Sequence, residues 1–264
     1  MSEKTLSRSG GRAEAHASLR TAMAAPPLLT AAPGPLPILY RDDALLIVDK
    51  PSGLAAHRGY SSEHGDYLLT RARDTVGQHV FLAHRLDRAT SGAQALTFDA
   101  QLAAVLQSSF AAGQVHKRYL ALVRGQLAGP CLVDYAVARR DGKDAPKVPA
   151  QTRFTPLVAL ERYSLVEAEP LTGRYHQIRR HLKHLRHPIV GDTTYGDNKQ
   201  NRIVRERFSL LRLFLHASKL SLPHPVTGRR IDVEAPLPEE LVRTLRELGY
   251  ADAQKSEFRE RDAQ

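Results

Sequence analysis

Asp87 is the residue of this chain whose setting most directly suggests chemistry. It stands between Arg85 and Arg88 in the segment FLAHRLDRATSGAQALTFD, residues 81 to 99. Because an opposite charge within a few ångströms favours the ionised form of a carboxylate, we expect Asp87 to be charged even where it is buried. An ionised, desolvated carboxylate can act as a nucleophile or as a general base. It can equally form one half of a structural ion pair, and the local sequence leaves these alternatives open.

A run of cations and histidines forms a second candidate site. Residues 174 to 187 contain five Arg or Lys and four His, with no acidic residue before Asp192. The histidine spacings lack the i, i+4 pair of a helical zinc site, and the neighbouring arginines repel a dication, so we expect no metal here. A helix that faces RNA or merely solvent fits the pattern better. Its basic stripe consists of Arg180, Lys183, His184 and His187.

Nucleotide cofactors have no recognisable binding motif in this sequence. Neither a Walker loop nor a dinucleotide fingerprint occurs. Ser52 and Ser91 lie in KPSG and TSG segments and lack the G-x-S-x-G setting of a nucleophilic serine. We therefore expect no cofactor and no serine hydrolase.

Short strands and amphipathic helices must position these side chains. Residues 80 to 86 alternate as in a strand, which would place Arg85 and Asp87 on one face. Asp99 is a candidate N-cap for a helix that ends near Gly113. Further strands are predicted at 38–40, 45–48, 93–98, 118–123, 132–138 (paired with 118–123), 152–160, 163–169, 213–221 and 231–234, with helices in the second half of 60–75, around 178–185 and at 238–248.

These elements predict an α+β fold with a mixed, mostly antiparallel central sheet and flanking helices and loops. The chain has 264 residues, of which 42% are hydrophobic, and can bury a sizeable core. We expect one domain over residues 38 to 250. Residues 1 to 37 end in the proline-rich PPLLTAAPGPLP and are predicted to be a disordered tail, and residues 251 to 264 a polar C-terminal tail.

The charge balance and cysteine content restrict the partners and the compartment. Lys and Arg total 38 against 28 Asp and Glu, a formal charge of +10, which favours a polyanionic partner. Cys131 is the single cysteine, so an intrachain disulfide is excluded and a reducing compartment is favoured. No apolar run reaches the ~20 residues of a membrane helix. We expect a cytoplasmic monomer without a membrane anchor.

Four segments of the sequence resemble the motifs of the RluA-type pseudouridine synthases. AHRLDRATSG is similar to the family's H-R-L-D-x-x-T-S-G motif at each fixed place. VDKPSGLAAHR resembles the first motif, KRYLALVRG the tyrosine-bearing strand, and LTGRYHQIRRHLKHLRHPIVGDTTYGD the C-terminal motif. Together the segments cover roughly residues 38 to 235 in the family's order. Within the family, GQHVFLAHRLDR and LHASKLSLPHPVTG most resemble the branch that modifies the acceptor stem of certain tRNAs.

The resemblance implies an isomerase that converts a uridine of structured RNA to pseudouridine without a cofactor. The family's catalytic aspartate falls on Asp87, which either attacks C1′ of the ribose or assists formation of a glycal. Arg179 matches the arginine that pairs with this aspartate, and Tyr119 the tyrosine that stacks on uracil. Arg85 matches the arginine that enters the RNA stack where the everted base has been.

Further residues are candidates for RNA contact. Arg174, Arg180 and Lys183 lie in the basic segment, while Lys50 in KPSG either positions the loop or contacts a phosphate. We expect no N-terminal S4 domain, because residues 1 to 37 are too few and too proline-rich to form one. Ribosomal RNA as substrate and a non-catalytic RNA-binding protein on the same fold stay open as alternatives.

Overall fold

A computed structural model of the chain describes residue 31 and residues 33–57, 66–142 and 144–250. Its helices are α1 (Leu68–Val76), α2 (Ala100–Ala111), α3 (Gln177–His184), α4 (Asn198–Phe208) and α5 (Glu239–Glu247). Its strands are β1 (Ile38–Arg41), β2 (Leu45–Lys50), β3 (Phe81–Leu82), β4 (Ser91–Thr97), β5 (His116–Arg124), β6 (Cys131–Asp134), β7 (Val137–Ala138), β8 (Lys147–Val148), β9 (Gln151–Leu160), β10 (Tyr163–Pro170), β11 (Leu215–Pro223) and β12 (Arg230–Glu234).

One large mixed sheet organises the domain. Its strand order is β1-β2-β4-β11-β5-β10-β9-β6, with β12 paired to β11 and β3 paired to β4. Within the described ranges, β4 and β11 form its single parallel pair, and the other pairings are antiparallel. A separate small hairpin joins β7 to β8. The predicted α+β class with a mixed, mostly antiparallel sheet is therefore confirmed.

Strand β2 is buried on both faces because the sheet is covered on both sides there. Leu45 and Ile47 pack in a cluster with Leu106 of α2. Leu46 and Val48 point the opposite way, into a cluster with Leu68 of α1. A nearly continuous apolar run is the pattern expected of such a two-sided strand.

The largest core cluster lies where the sheet's second half meets three helices. It includes Leu122 of β5, Phe154 of β9, Leu182 of α3, Phe214 before β11 and Leu241 of α5, each at most 1% exposed. Leu182 belongs to the apolar face that the i, i+4 spacing of residues 178 and 182 predicts. This core fixes α3 against the sheet and so positions the cationic segment.

The parallel pairing of β4 and β11 requires Gly92. Gly92 pairs with Ala217 and has φ +113°, a value that favours glycine. A Cβ atom at this position would lie 2.2 Å from the carbonyl oxygen of Ala217. The two strands can approach closely only because the side chain is missing.

Most of the predicted elements are present, and two assignments are wrong. Of the strand predicted at 80–86, only Phe81 and Leu82 pair with β4. The side chain of Gln94 replaces the ladder beyond them, since it accepts from the N–H of Leu86 at 2.8 Å and donates to the carbonyl of His84. The strand predicted at 132–138 is divided into β6, which pairs with β9, and β7, which pairs with β8; neither pairs with β5, whose edges are both occupied by β10 and β11.

The N-terminal boundary of the domain lies before residue 38. Leu36 was assigned to the tail, yet it is 3% exposed and donates its N–H to Thr75 Oγ1 at 3.0 Å. Pro37 likewise accepts a hydrogen bond from the N–H of Asp49 at 2.9 Å. Of the rest of the predicted tail, residues 1–30 and 32 lie outside the described residues, as does the C-terminal segment 251–264.

Helix α4 was not predicted from the sequence. Its sequence NKQNRIVRERF is mostly polar, so the apolar periodicity is weak. The side chain of Asp197 caps it by accepting from the N–H groups of Lys199 and Gln200. Among the residues described, no helix combines the length and apolar character needed to cross a membrane.

Candidate active site

A cleft of about 470 Å³ opens beside the centre of the sheet. Three separate parts of the chain bring candidate residues to it. The loop before β4 contributes Arg85 and Asp87, strand β5 contributes Tyr119, and the segment entering α3 contributes Arg174 and Arg179. The structure thus brings together five of the eight residues predicted from the sequence. Lys50, Arg180 and Lys183 do not line the cleft.

Hydrogen bonds join two loops beside Asp87 and fix the position of its backbone. The carbonyl of Asp87 accepts the N–H of Thr90 at 3.0 Å, which closes the turn. The N–H of Gly53 donates to Arg88 O at 2.8 Å, and Arg88 Nε returns a bond to Gly53 O at 2.9 Å. The KPSG turn after β2 therefore holds the backbone on which Asp87 stands.

Lys50 lies between these two loops and is fully buried. Its ammonium donates to the carbonyls of Pro51 and Leu54, each at 2.9 Å, and to that of Arg88 at 3.3 Å. Burial lowers the pKa of Lys50 to about 7, while the carbonyl oxygens solvate its charged form. Of the two roles that the sequence left open, the placement matches loop positioning; the predicted RNA contact of Lys50 is wrong, because the side chain is fully buried.

Arg179 links two carboxylates. Its Nε and Nη2 atoms donate to both oxygens of Asp192 at 2.8 Å, whereas Nη1 lies 3.7 Å from Asp87 Oδ2. Bidentate geometry of this kind gives the stronger of two such interactions. The predicted proximity of Arg179 to Asp87 is present, but the main partner of the guanidinium is Asp192.

Asp192 is a site residue that sequence reasoning missed. Its side chain is completely buried and also accepts the N–H groups of Thr194 and Tyr195 at 2.9 Å. Burial would raise the pKa of Asp192, but the Arg179 guanidinium and the two N–H groups lower it below its ordinary value. The signal available in the sequence was its position as the first acidic residue after the cationic run.

His176 belongs to the cationic segment whose histidines the sequence presented as possible metal ligands, but its place beside Asp87 was not predicted. It has a left-handed backbone, φ +52°, a conformation in which histidine is enriched among non-glycine residues. Its Nε2 atom lies 3.8 Å from Asp87 Oδ2, and its ring stacks on Tyr175 with centroids 3.8 Å apart. Burial lowers the pKa of His176, so the ring is neutral near pH 7.

Tyr119 faces the cleft from the middle of β5. Within the described part of the chain its hydroxyl has no hydrogen-bond partner, and the ring packs partly against the core. Burial, with a smaller contribution from the charge of Asp87, raises the pKa of Tyr119 well above its ordinary value. The phenol is therefore protonated at neutral pH.

The cations at the rim differ in how firmly they are held. Arg85 is exposed and has no hydrogen bond or ion pair to another described residue, while Arg174 donates to Pro149 O at 3.2 Å. Lys183 is exposed on α3. Arg180 is held internally, because its guanidinium donates to Tyr195 Oη at 2.8 Å and to Ala138 O at 2.6 Å.

The predicted basic stripe is consequently not continuous. Helix α3 ends at His184, so His187 lies beyond it and its Nδ1 contacts Arg124 O at 2.9 Å. His184 stacks on Tyr135 with centroids 3.9 Å apart. No group of three or more His, Cys, Asp or Glu among the described residues is arranged to hold a metal ion.

The site combines a carboxylate at the floor of a cleft, a buried cation shared with a second carboxylate and a neutral phenol. The carboxylate is only partly exposed, at 24%, and can reach a ligand in the cleft. The family model described as RNA pseudouridylate synthase matches residues 44–184. The chain belongs to this family, and the enzyme class expected from the sequence, an RNA pseudouridine synthase, is confirmed.

Individual relatives agree with this assignment. The chain is 41% identical over 235 residues to tRNA pseudouridine synthase C of Salmonella typhi. This aligned region covers 81% of this chain and 90% of that protein. It is 40% identical to tRNA pseudouridine synthase C of Vibrio cholerae, with 83% and 98% coverage. Among solved structures, human RNA Pseudouridylate Synthase Domain Containing 4 superposes with a TM-score of 0.67 and 28% identity, covering 81% of this chain and 93% of that one.

Proposed function

We propose that this protein isomerises a specific uridine to pseudouridine in tRNA, within the acceptor stem, with Asp87 as the catalytic residue. The observation that carries the proposal is the position of Asp87 Oδ2 in the cleft, 3.7 Å from Arg179 Nη1, where Tyr119 also lines the cleft. The identity of 41% to a relative named for tRNA supports the choice of substrate.

The reaction needs an ionised carboxylate near C1′ of the target nucleoside. The C1′–N1 bond breaks, the uracil rotates, and a C1′–C5 bond forms, while C5 loses a proton and N1 gains one. Asp87 acts either by attacking C1′ or by acid-base assistance to glycal formation. No electrons are gained or lost overall, so the balance requires no redox cofactor.

Arg179 faces Asp87 without forming a tight ion pair with it. Arg179 donates to Asp192 through Nε and Nη2, each at 2.8 Å, and the remaining nitrogen, Nη1, lies 3.7 Å from Asp87 Oδ2. A carboxylate in a full bidentate pair would be bound too tightly to react readily. The shared arginine instead supplies a positive field and leaves the carboxylate oxygens available.

Tyr119 serves mainly as a platform for the uracil. Because the pKa of its phenol is raised by burial, the group is a poor base at neutral pH. Its ring and its protonated hydroxyl suit stacking and hydrogen bonding to a base. The structure thus favours stacking over removal of the C5 proton.

Arg85 and the rim cations handle the RNA. A base within a duplex must be extruded at a cost of a few kcal/mol, and a planar cation can fill the gap. Arg85 is free to do so, since it is exposed and unpaired among the described residues. Arg174 at the cleft and the exposed Lys183 on α3 are proposed to contact the RNA backbone. The enzyme is proposed to act as a cytoplasmic monomer, with residues 33–250 as its catalytic unit.

Tritium release from C5-labelled RNA tests this function. The purified protein should release tritium from a tRNA transcript and should lose this activity when the target uridine is replaced by cytidine. Release from ribosomal RNA alone would move the substrate to that class. Tight RNA binding without release from either RNA would favour a non-catalytic RNA-binding protein and contradict the proposal.

A further inference from the structure

Two hydrogen bonds and one longer polar contact lead from helix α3 through His176 to Asp87. Arg180 Nε lies 2.8 Å from Tyr195 Oη, and Tyr195 Oη lies 3.0 Å from His176 Nδ1. His176 Nε2 then lies 3.8 Å from Asp87 Oδ2. Arg180 is itself anchored to the carbonyl of Ala138 at 2.6 Å. This series of contacts therefore starts from a fixed cation and ends at the carboxylate in the cleft.

The direction of each hydrogen bond follows from the groups involved. Arginine can only donate, so Tyr195 Oη accepts from Arg180. The hydroxyl proton of Tyr195 then has one acceptor among its described contacts, His176 Nδ1. We assign this bond as a donation by the Tyr195 hydroxyl, which puts the single proton of a neutral imidazole on Nε2, on the side of Asp87. In this assignment Arg180 orients the hydroxyl and so favours that tautomer of His176.

We propose that His176 is a positioning residue for Asp87, held by Arg180 and Tyr195 in the tautomer that directs its Nε2–H at Oδ2. This inference rests on the proposed function of Asp87. The separation of 3.8 Å is long for a hydrogen bond, and such contacts often tighten when substrate fills a site. With Oδ2 held by the imidazole, Oδ1 is left to face the ribose.

A neutral donor suits this task better than a second cation. Asp87 already faces the guanidinium of Arg179, and a cationic imidazole would hold the carboxylate in a stronger ion pair. Burial keeps His176 neutral; the charged groups that act on it are Asp87, Asp141, Arg179 and Arg180. The aromatic contacts with Tyr175 and Tyr195 fix the ring plane.

Two substitutions of His176 separate positioning from mere backbone support. His176→Asn tolerates the left-handed backbone but its amide reaches only to the place of Nδ1. His176→Gln reaches to the place of Nε2 with an uncharged donor, although glutamine is less suited to a positive φ and costs about 1 kcal/mol of stability. If His176 only supports the backbone, His176→Asn should be the more active of the two variants, because asparagine tolerates the left-handed conformation better. A positioning role predicts that His176→Gln is the more active one.

The measurement is the single-turnover rate of tritium release from saturating C5-labelled tRNA, with the dissociation constant of the RNA measured in parallel. We expect His176→Asn to lower the rate about tenfold to a hundredfold with unchanged RNA affinity, and His176→Gln to stay within about threefold of wild type. Tyr195→Phe should lower the rate in the wild-type background. It should have no further effect in His176→Asn, since no donor is left to orient.

The outcomes separate this inference from the function on which it rests. A wild-type protein that releases no tritium from RNA overturns the proposed function and the inference with it. An active wild type with an equally active His176→Asn variant overturns the inference alone. The same holds if His176→Asn exceeds His176→Gln in rate, or if Tyr195→Phe acts independently of His176.

Discussion

The guanidinium of Arg179 donates two hydrogen bonds of 2.8 Å to Asp192 and approaches Asp87 only with its remaining nitrogen, at 3.7 Å. The buried ion pair thus belongs to the scaffold, and the carboxylate in the cleft lies at its edge. This division separates the residues that hold the site from those that act in it. Substitution of Asp192 should consequently lower the stability of the protein, whereas substitution of Asp87 should abolish activity and leave stability unchanged.

Asp192→Asn should destabilise the protein strongly. The substitution leaves the guanidinium of Arg179, whose side chain is 7% exposed, without its charged partner. Breaking a buried pair in this way typically costs about 3–5 kcal/mol. Urea unfolding measures the loss. Glu206→Gln, in the exposed pair with Arg202, is the control and should leave the free energy of unfolding unchanged within error.

Gly92→Ala should prevent correct pairing of β4 with β11. The new methyl group would lie 2.2 Å from the carbonyl oxygen of Ala217, and φ at this residue is +113°. A backbone clash in a central strand costs several kcal/mol. Gly129→Ala meets no atom within 4 Å and serves as the matched control. Comparable unfolding midpoints for the two variants would contradict the strand arrangement.

Acid should weaken the fold through its buried neutral histidines. Burial lowers the pKa of His216 to about 4 and that of His84 to about 3, against about 6.5 in the unfolded chain. Between pH 6 and 4.5 the unfolded state therefore binds more protons at both residues, and stability decreases as the pH is lowered. Burial raises the pKa of Asp49 to about 6, so in this pH range the folded state binds one extra proton there, which cancels the contribution of one of the two histidines.

His216, His84 and Asp49 together give a net slope of about one proton, or about 1.4 kcal/mol per pH unit, and the lowered pKa values of His176 and His181 make it steeper. Denaturant unfolding at pH 7.5, 6.0 and 5.0 measures it. His216→Gln should be less stable at pH 7.5 and should lose less stability on acidification than wild type. His79→Gln, at an exposed position, should keep the wild-type slope. An unchanged slope in His216→Gln would show that this histidine does not titrate with unfolding.

Arg85→Ala should lower the rate without affecting the fold. Its side chain is exposed and unpaired within the described ranges, so the unfolding midpoint should stay the same. If the arginine fills the gap left by the extruded base, it offsets part of the few kcal/mol that extrusion costs. Its loss should then slow single turnover about tenfold to a hundredfold. Arg229→Ala, exposed and outside the cleft, is the control for charge. Equal rates for the two variants would remove Arg85 from the extrusion step.

The sequence predicts much of the active site because its motifs identify the reactive residues, of which Tyr119 lies on strand β5 and Arg179 on helix α3, while Asp87 lies in the loop before β4. Asp87, Tyr119 and Arg179 meet in one cleft, as the resemblance implies. The strand expected at 80–86 is wrong beyond Leu82, since the side chain of Gln94 takes over the hydrogen bonding there. Such a replacement depends on a residue eight or more positions away and leaves no local periodicity.

The partners of the cations could not be predicted from sequence. Lys50 and Arg180 look like surface cations in a basic chain, yet the structure satisfies them with backbone carbonyls and the hydroxyl of Tyr195. Asp192 pairs with Arg179 because the loop after α3 folds back on the helix. These contacts are set by tertiary packing, and residue type alone does not reveal which arginine is buried.

The most direct test of the account compares wild type with Asp87→Asn. The carboxylate is partly exposed and its arginine is already satisfied by Asp192, so the variant should unfold at the same denaturant concentration and bind tRNA with the same affinity. Its release of tritium from C5-labelled tRNA should fall below detection. Release at the wild-type rate, or a loss that merely follows a loss of stability, would contradict the catalytic role of Asp87.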